Sequence, residues 1–150
     1  MKDMQENRQK MTYDIEALEE QISNLIDNSV NGAVIIVEGR RDEKALRALG
    51  IKGPIIIASW RPALELAEEL ARNYQNIIIL TDWDDKGEEI ALNIEQHLRC
   101  TSANTNLEIR TRLKKLVKKE IKDVESLNLY MERIRELRAV PNLGYQMGDE

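Results

Sequence analysis

Three apolar runs stand out along the chain: Ala33-Val34-Ile35-Ile36-Val37, Ile55-Ile56-Ile57-Ala58 and Ile77-Ile78-Ile79-Leu80. None alternates with polar residues, so each reads as a strand buried on both faces, the habit of parallel sheets. Between them the apolar positions recur every three to four residues. Ile15, Leu18, Ile22, Leu25 and Ile26 mark an amphipathic helix over 12–28, after a polar segment 1–11 expected to fray. A second helix is expected over 42–49, stopped by Gly50. Pro62 opens a third with the stripe Ala63, Leu66, Ala67 and Leu70, and a fourth after Gly87 buries Ile90, Ile94 and Leu98. Beyond a polar loop at 101–106, Leu107–Arg110 reads as a short fourth strand. Helices over 111–119 and 126–139 follow, and Pro141 and Gly144 break the pattern. Strands alternating with helices define an α/β fold, a mostly parallel sheet of about four strands with helices on both faces. The expected organisation is a core at 31–110 flanked by helical extensions at 1–30 and 111–150.

Composition narrows the class. A chain of 150 residues suits one domain with a real core. The single cysteine, Cys100, excludes an internal disulfide and fits a reducing cytosol; the single histidine, His97, argues against zinc. No apolar run approaches the ~20 residues of a membrane span, and the first residues lack the apolar stretch of a signal peptide. The expected setting is cytoplasmic, with no membrane. The net charge of −5 is unevenly spread: residues 99–138 carry 11 basic and 6 acidic residues, and the remainder 11 and 21. The run Arg110, Arg112, Lys114, Lys115, Lys118, Lys119 and Lys122 is either a phosphate-contacting surface or a solvated helix face.

The chemistry lies at the strand ends. Glu38 follows the first run, and Asp82 and Asp84 follow the third, each beside a glycine-containing turn. In a parallel sheet such turns gather at the carboxyl edge, where open α/β folds bind ligands. Carboxylates collected there repel one another unless a cation separates them, and an all-oxygen donor set favours Mg²⁺, with Mn²⁺ as a substitute. Chain order removes the familiar alternatives. A haloacid-type phosphatase wants Asp-x-Asp after its first strand, and a response-regulator receiver wants an acidic pair there. A dinucleotide-binding domain needs a glycine-rich first turn, which Glu38-Gly39-Arg40-Arg41-Asp42 is not, and no Gly-Lys-Ser/Thr loop exists for a nucleoside triphosphate.

Val37-Glu38-Gly39-Arg40-Arg41-Asp42 and Leu80-Thr81-Asp82-Trp83-Asp84-Asp85-Lys86-Gly87 resemble, in order, the two motifs of the Toprim domain of topoisomerases, bacterial primases and several nucleases. The resemblance spans residues 32–98 and implies a Rossmann-like Toprim fold, with Glu38 as acid/base and Asp82 and Asp84 as metal holders. The residues support the same roles. Two aspartates two apart in extended chain leave on one side and can hold one ion, while Glu38 from the neighbouring strand can ligate it or exchange a proton. Asp42 matches an acidic position common in the first motif, or caps a helix. Asp85 either supports the metal ligands from behind or is an acid favoured by a helix N-terminus. Similar proteins can carry further acids, so Asp123 and Glu125 are candidates for a second ion; otherwise Asp123 or Ser126 caps the last helix.

Arg40, Lys44 and Arg47 share one helix face, which either touches substrate phosphates or is simply solvated. Lys86 neutralises the acids or binds phosphate. Trp83, between the aspartates, points away from them; it and Trp60 either pack or stack a base. A topoisomerase needs a nucleophilic Tyr on a separate domain and a primase needs flanking domains, neither of which fits this length. The expectation is therefore a stand-alone Toprim protein catalysing Mg²⁺-dependent phosphodiester hydrolysis in RNA or DNA, with Arg112, Lys115 and Lys119 on its docking surface. The alternative is a non-catalytic nucleic-acid or nucleotide-binding module within a partner complex. The first helix also offers a homodimer contact.

Overall fold

All three isoleucine runs become parallel strands in the computed structural model, which describes residues 2–148, with side chains over 5–6 and 14–139. They are β1 (Val34–Val37), β2 (Ile55–Ile57) and β3 (Asn76–Ile79); β4 (Asn104–Asn106) completes a sheet of order β2-β1-β3-β4. The helices are α1 (Lys2–Val30), α2 (Arg40–Leu49), α3 (Ala63–Asn73), α4 (Asp85–Leu98), α5 (Glu108–Val117) and α6 (Leu127–Gly148), with a 3-10 turn at Ala58–Trp60.

Period-two side-chain alternation divides the strands between two apolar layers. Ile35, Val37, Ile78 and Leu80 join Leu18, Ile22 and Leu25 of α1, Leu46 and Leu49 of α2, Leu113 and Val117 of α5, and Met131 of α6. On the other face Val34, Ile36, Ile77 and Ile79 pack on Leu66, Ala67 and Leu70 of α3 and on Ala91, Ile94 and Leu98 of α4. β1 is wholly buried; at about 1.5–3 kcal/mol per buried aliphatic side chain, these few residues anchor the domain. Helices α1, α5 and α6, mostly from the segments expected as extensions, join α2 in the first layer. The apolar stripe of α1 is consumed inside the chain's own core.

Several element boundaries differ from the sequence reading. Helix α1 begins at Lys2, not near residue 12, because residues 2–11 contain straight-chain helix formers and neither Gly nor Pro. Pro62 is the residue before α3 rather than its first turn, and α4 starts at Asp85, ahead of Gly87. The fourth strand is the polar Asn104–Asn106, while Leu107–Arg110 turns into α5. The Asn106 carboxamide oxygen accepts from the amides of Glu108 and Ile109 at 2.9 and 3.2 Å, and so starts the helix three residues early. An edge strand needs only one ladder, which the backbone supplies whatever the side chains. The backbone of α6 continues through Pro141 and Gly144 to Gly148, since an interior proline removes one helical hydrogen bond without forbidding the rest.

Candidate metal centre

The strand order creates a switch point: from β1 the chain crosses to β2 on one side, and from β3 to β4 on the other. Ligands of open α/β sheets bind in that crevice at the carboxyl ends. Glu38 leaves β1 and Asp82 follows β3 beside it, the two strands being hydrogen-bonded neighbours up to Leu80, whose amide donates to the Ile36 carbonyl at 2.8 Å.

Each acidic group is set by local backbone chemistry. Gly39 is extended (φ −143°, ψ 175°), and its amide donates to Asp42 Oδ2 at 3.0 Å. Asp42 is therefore not the N-cap of α2 but the acid three residues on that ties back to it. Asp84 is the N-cap of α4, its Oδ1 accepting from the Gly87 amide at 2.7 Å. Asp82 Oδ1 accepts from the Val124 amide at 2.9 Å, so the α5–α6 connection docks directly on the site. Trp83 points away into the first apolar layer, and its indole N–H donates to the Ile121 carbonyl at 2.9 Å. The stacking alternative for Trp83 is thereby removed.

The β3–α4 turn is held by two further residues. Buried Thr81 donates through Oγ1 to the Gly87 carbonyl at 2.7 Å. Arg110, 3% exposed, donates from Nε to the Thr81 carbonyl (3.0 Å), from Nη2 to the Asp82 carbonyl (2.6 Å) and from Nη1 to Glu88 Oε2 (2.7 Å). Arg110 thus leaves the phosphate-contacting run to which its charge assigned it. Its planar fork matches three acceptors at fixed positions, which a lysine cannot do. Sequence reasoning missed this role; the only signal was its place four residues after Asn106, on the apolar side of α5 with Ile109 and Leu113.

The electrostatics are those of crowded, partly dried carboxylates. Burial, then the carboxyl of Asp82, then Asp84 and Asp42 push Glu38 up to about 8. Burial and Asp82, with Glu125 and Asp123 adding to them, push Asp42 up to about 6, although the Gly39 amide opposes the shift. Glu38 and Asp42 thus feel the acids around them, and the acids flagged on the distant loop 123–125 are brought to the same edge. Glu38 Oε1 is buried without a hydrogen-bond partner, a costly condition that a cation or proton would relieve. The donors fit a hard divalent ion in charge and chemistry. Among the described residues, no three acidic, His or Cys side chains are grouped to hold an ion in this conformation. Asp82 and Asp84 instead each give one oxygen to a backbone amide.

The other expected residues fall into two sets. Near the centre, Arg40 begins α2 with its guanidinium over the Trp60 ring, and exposed Asp85 and Lys86 sit in the first turn of α4. Asp123 braces the turn that precedes α6 by accepting from the Ser126 amide at 2.8 Å, and Glu125 pairs with Arg41 at 3.8 Å. Arg47 lies elsewhere. Its Nη1 binds the carbonyls of Ile51 (3.1 Å) and Gly53 (2.6 Å), clamping the turn before β2, because seven residues of helix carry it about 10 Å toward the opposite edge. Lys44 is exposed between them on α2. On α5 Arg112 is paired with Glu108, while Lys115 and, beyond the helix, Lys119 are exposed. Trp60 is 63% exposed rather than packed.

A parallel sheet carrying Glu at the end of one strand and Asp-x-Asp after its neighbour, at the switch point, defines a Toprim module. The Toprim domain profile matches residues 33–125, and the chain belongs to that family, whose modules bind divalent metal for phosphoryl-transfer-type chemistry. Within it the chain groups with the UPF0292 proteins. The one from Methanosarcina barkeri is 40% identical over 121 residues, covering 81% of this chain and 85% of its own. That from Thermococcus sibiricus is 44% identical over 120 residues, covering 78% and 93%. A solved structure of a protein from Aquifex aeolicus superposes with a TM-score of 0.62 at 30% identity, covering 72% of this chain and 95% of that one. No helix of the described residues is long and apolar enough to cross a membrane.

Proposed function

We propose that this protein is a Mg²⁺-dependent nuclease hydrolysing phosphodiesters in RNA or DNA, in a cytoplasmic setting. The observation that carries the reading is Glu38: a carboxyl raised to about 8, with an unpartnered buried oxygen, beside two aspartates at the switch point. Asp82 and Asp84 would hold the ion, with Glu38 available to it. When bound, Mg²⁺ (or Mn²⁺) neutralises charge on the reacting phosphate and fixes its orientation. In the metal-free protein Glu38 holds a proton near neutral pH; with an ion among the acids it would exchange one, giving a proton to the leaving sugar oxygen as the phosphorus–oxygen bond breaks and recovering one from the attacking water as that water bonds to phosphorus. Lys115, Lys118, Lys119 and Lys122 are exposed at the end of α5 and in the connection that reaches Asp82. They would hold the strand's phosphates, giving binding that falls steeply with salt.

A second reading is a binding module that works inside a partner complex, which the exposed Lys115, Lys118, Lys119 and Lys122 would serve without any chemistry at Glu38. The two readings separate on purified protein incubated with Mg²⁺ or Mn²⁺ and structured RNA or DNA. The nuclease reading expects cleavage that Glu38→Gln abolishes while binding survives. Binding that persists in chelator, with no cleavage under any condition, overturns it in favour of the module.

A further inference from the structure

Trp60 is the exposed aromatic nearest the metal centre. It ends the 3-10 turn after β2, and the amide of the preceding Ser59 donates to the Glu38 carbonyl at 3.4 Å. Arg40, two residues beyond Glu38, places its guanidinium carbon 5.3 Å from the Trp60 ring centroid, within cation–π range. The backbones of both residues therefore lie within two chain steps, roughly 7 Å, of the Glu38 backbone. The pair is presented, not packed: Trp60 is 63% exposed, and Arg40 is exposed as well. Its neighbours are neutralised internally, Arg41 by Glu125 and Arg61 by Glu69, whereas no ion pair among the described residues involves Arg40.

The geometry points to a nucleobase subsite: an unpaired base stacks on Trp60 and its phosphate pairs with Arg40, beside the phosphodiester held at Glu38. This rests on the phosphoryl-transfer reading of the centre and adds a substrate class to it, namely single-stranded or looped nucleic acid. An exposed indole beside an unneutralised guanidinium offers what a single strand presents, a π-face and an anion in succession. A duplex offers only the anion, because its bases are already stacked on each other. Among the described residues the remaining exposed large hydrophobic side chains are aliphatic and offer no ring to stack on, and buried Trp83 cannot take the role.

The test uses the full chain in chelator, so that binding is read without cleavage, with labelled oligothymidylate, oligouridylate and a duplex of equal length. Stacking quenches the fluorescence of Trp60 on single-strand binding, and Trp83 supplies the unquenched remainder. Trp60→Ala weakens single-strand binding roughly 5- to 150-fold, the range for losing one stacked base, and leaves duplex binding unchanged. Trp60→Phe restores most of it, and Arg40→Ala weakens it with a shallower salt dependence. Single-strand binding that Trp60→Ala leaves intact, without quenching in the parent, overturns the subsite while the function of the centre stands. An equal loss for duplex also overturns it, since stacking on a free base would not be the cause. If no single strand is bound in chelator, the subsite falls, while the nuclease reading is decided separately by cleavage in Mg²⁺.

Discussion

Replacing Gly87 with alanine sets two rules against each other. Gly87 is the third residue of α4, and in a helix alanine is favoured over glycine by about 1 kcal/mol. The local structure reverses that sign. A Cβ built on Gly87 falls 2.5 Å from the carbonyl carbon of Asp82 and 3.0 Å from its Cα, with the carbonyl oxygen nearer still. These are backbone atoms, so no rotamer relieves the clash. Moving the Asp82 carbonyl breaks its 2.6 Å bond from Arg110, and moving Gly87 breaks the Asp84 cap and the Thr81 hydroxyl bond. Losing the cap costs about 1 kcal/mol, and leaving the buried Thr81 hydroxyl unpaired costs about 1–3 kcal/mol. After the propensity gain, Gly87→Ala should lower stability by about 1–3 kcal/mol, or Tm by roughly 3–10 °C for a domain of this size. Urea and thermal unfolding of the metal-free protein measure it. Gly39→Ala is the control: its Cβ meets only Asp42 Oδ2 at 3.9 Å, so stability should stay within about 0.5 kcal/mol. A Gly87→Ala protein as stable as the parent, or more so, would refute the packing described for the turn.

The remaining expectations concern charge. Arg110→Met strips donors from Thr81, Asp82 and Glu88 and should cost about 2–4 kcal/mol in denaturant unfolding; Arg110→Lys should recover little of it. Asp82→Asn and Asp84→Asn keep an acceptor for the Val124 and Gly87 amides, so the metal-free fold should hold while Mg²⁺ affinity by calorimetry drops at least roughly tenfold. Unchanged affinity would displace the metal from these residues. For Glu38 the folded pKa lies above the unfolded one, so between about 4.5 and 8 the folded state binds more protons and metal-free stability declines as pH rises. Glu38→Gln should flatten that slope in unfolding curves recorded across the window, and a slope as steep as the parent's would assign the titration elsewhere.

What could be read from the chain depended on whether the deciding interaction was local. The strands were legible because Ile35, Ile56 and Ile78 sit in runs that only a doubly covered sheet buries, and the acids because they end those runs. Asp84 could be placed at a turn, but its capping of α4 depends on Gly87 curling back, which a motif does not specify. Arg110 was misread for a deeper reason. Charge along a helix is visible in sequence, yet whether an arginine faces water or a carbonyl is decided by elements 28 and 29 residues away. The same holds for Trp60 and Trp83, two indoles at strand ends with opposite fates. Ile121 offers its carbonyl to Trp83 across 38 residues and draws it into the core, while Trp60 has Arg40 over its ring and remains exposed. The connection that receives Trp83 also donates Val124 to Asp82 and brings Asp123 and Glu125 toward Asp42. The second motif and the α5–α6 connection are therefore one unit, and an ion held by Asp82 acts on the same carboxylate that accepts from the Val124 amide. Metal binding should consequently alter amide-exchange protection at Val124 as well as at the acids, a coupling that neither motif contains.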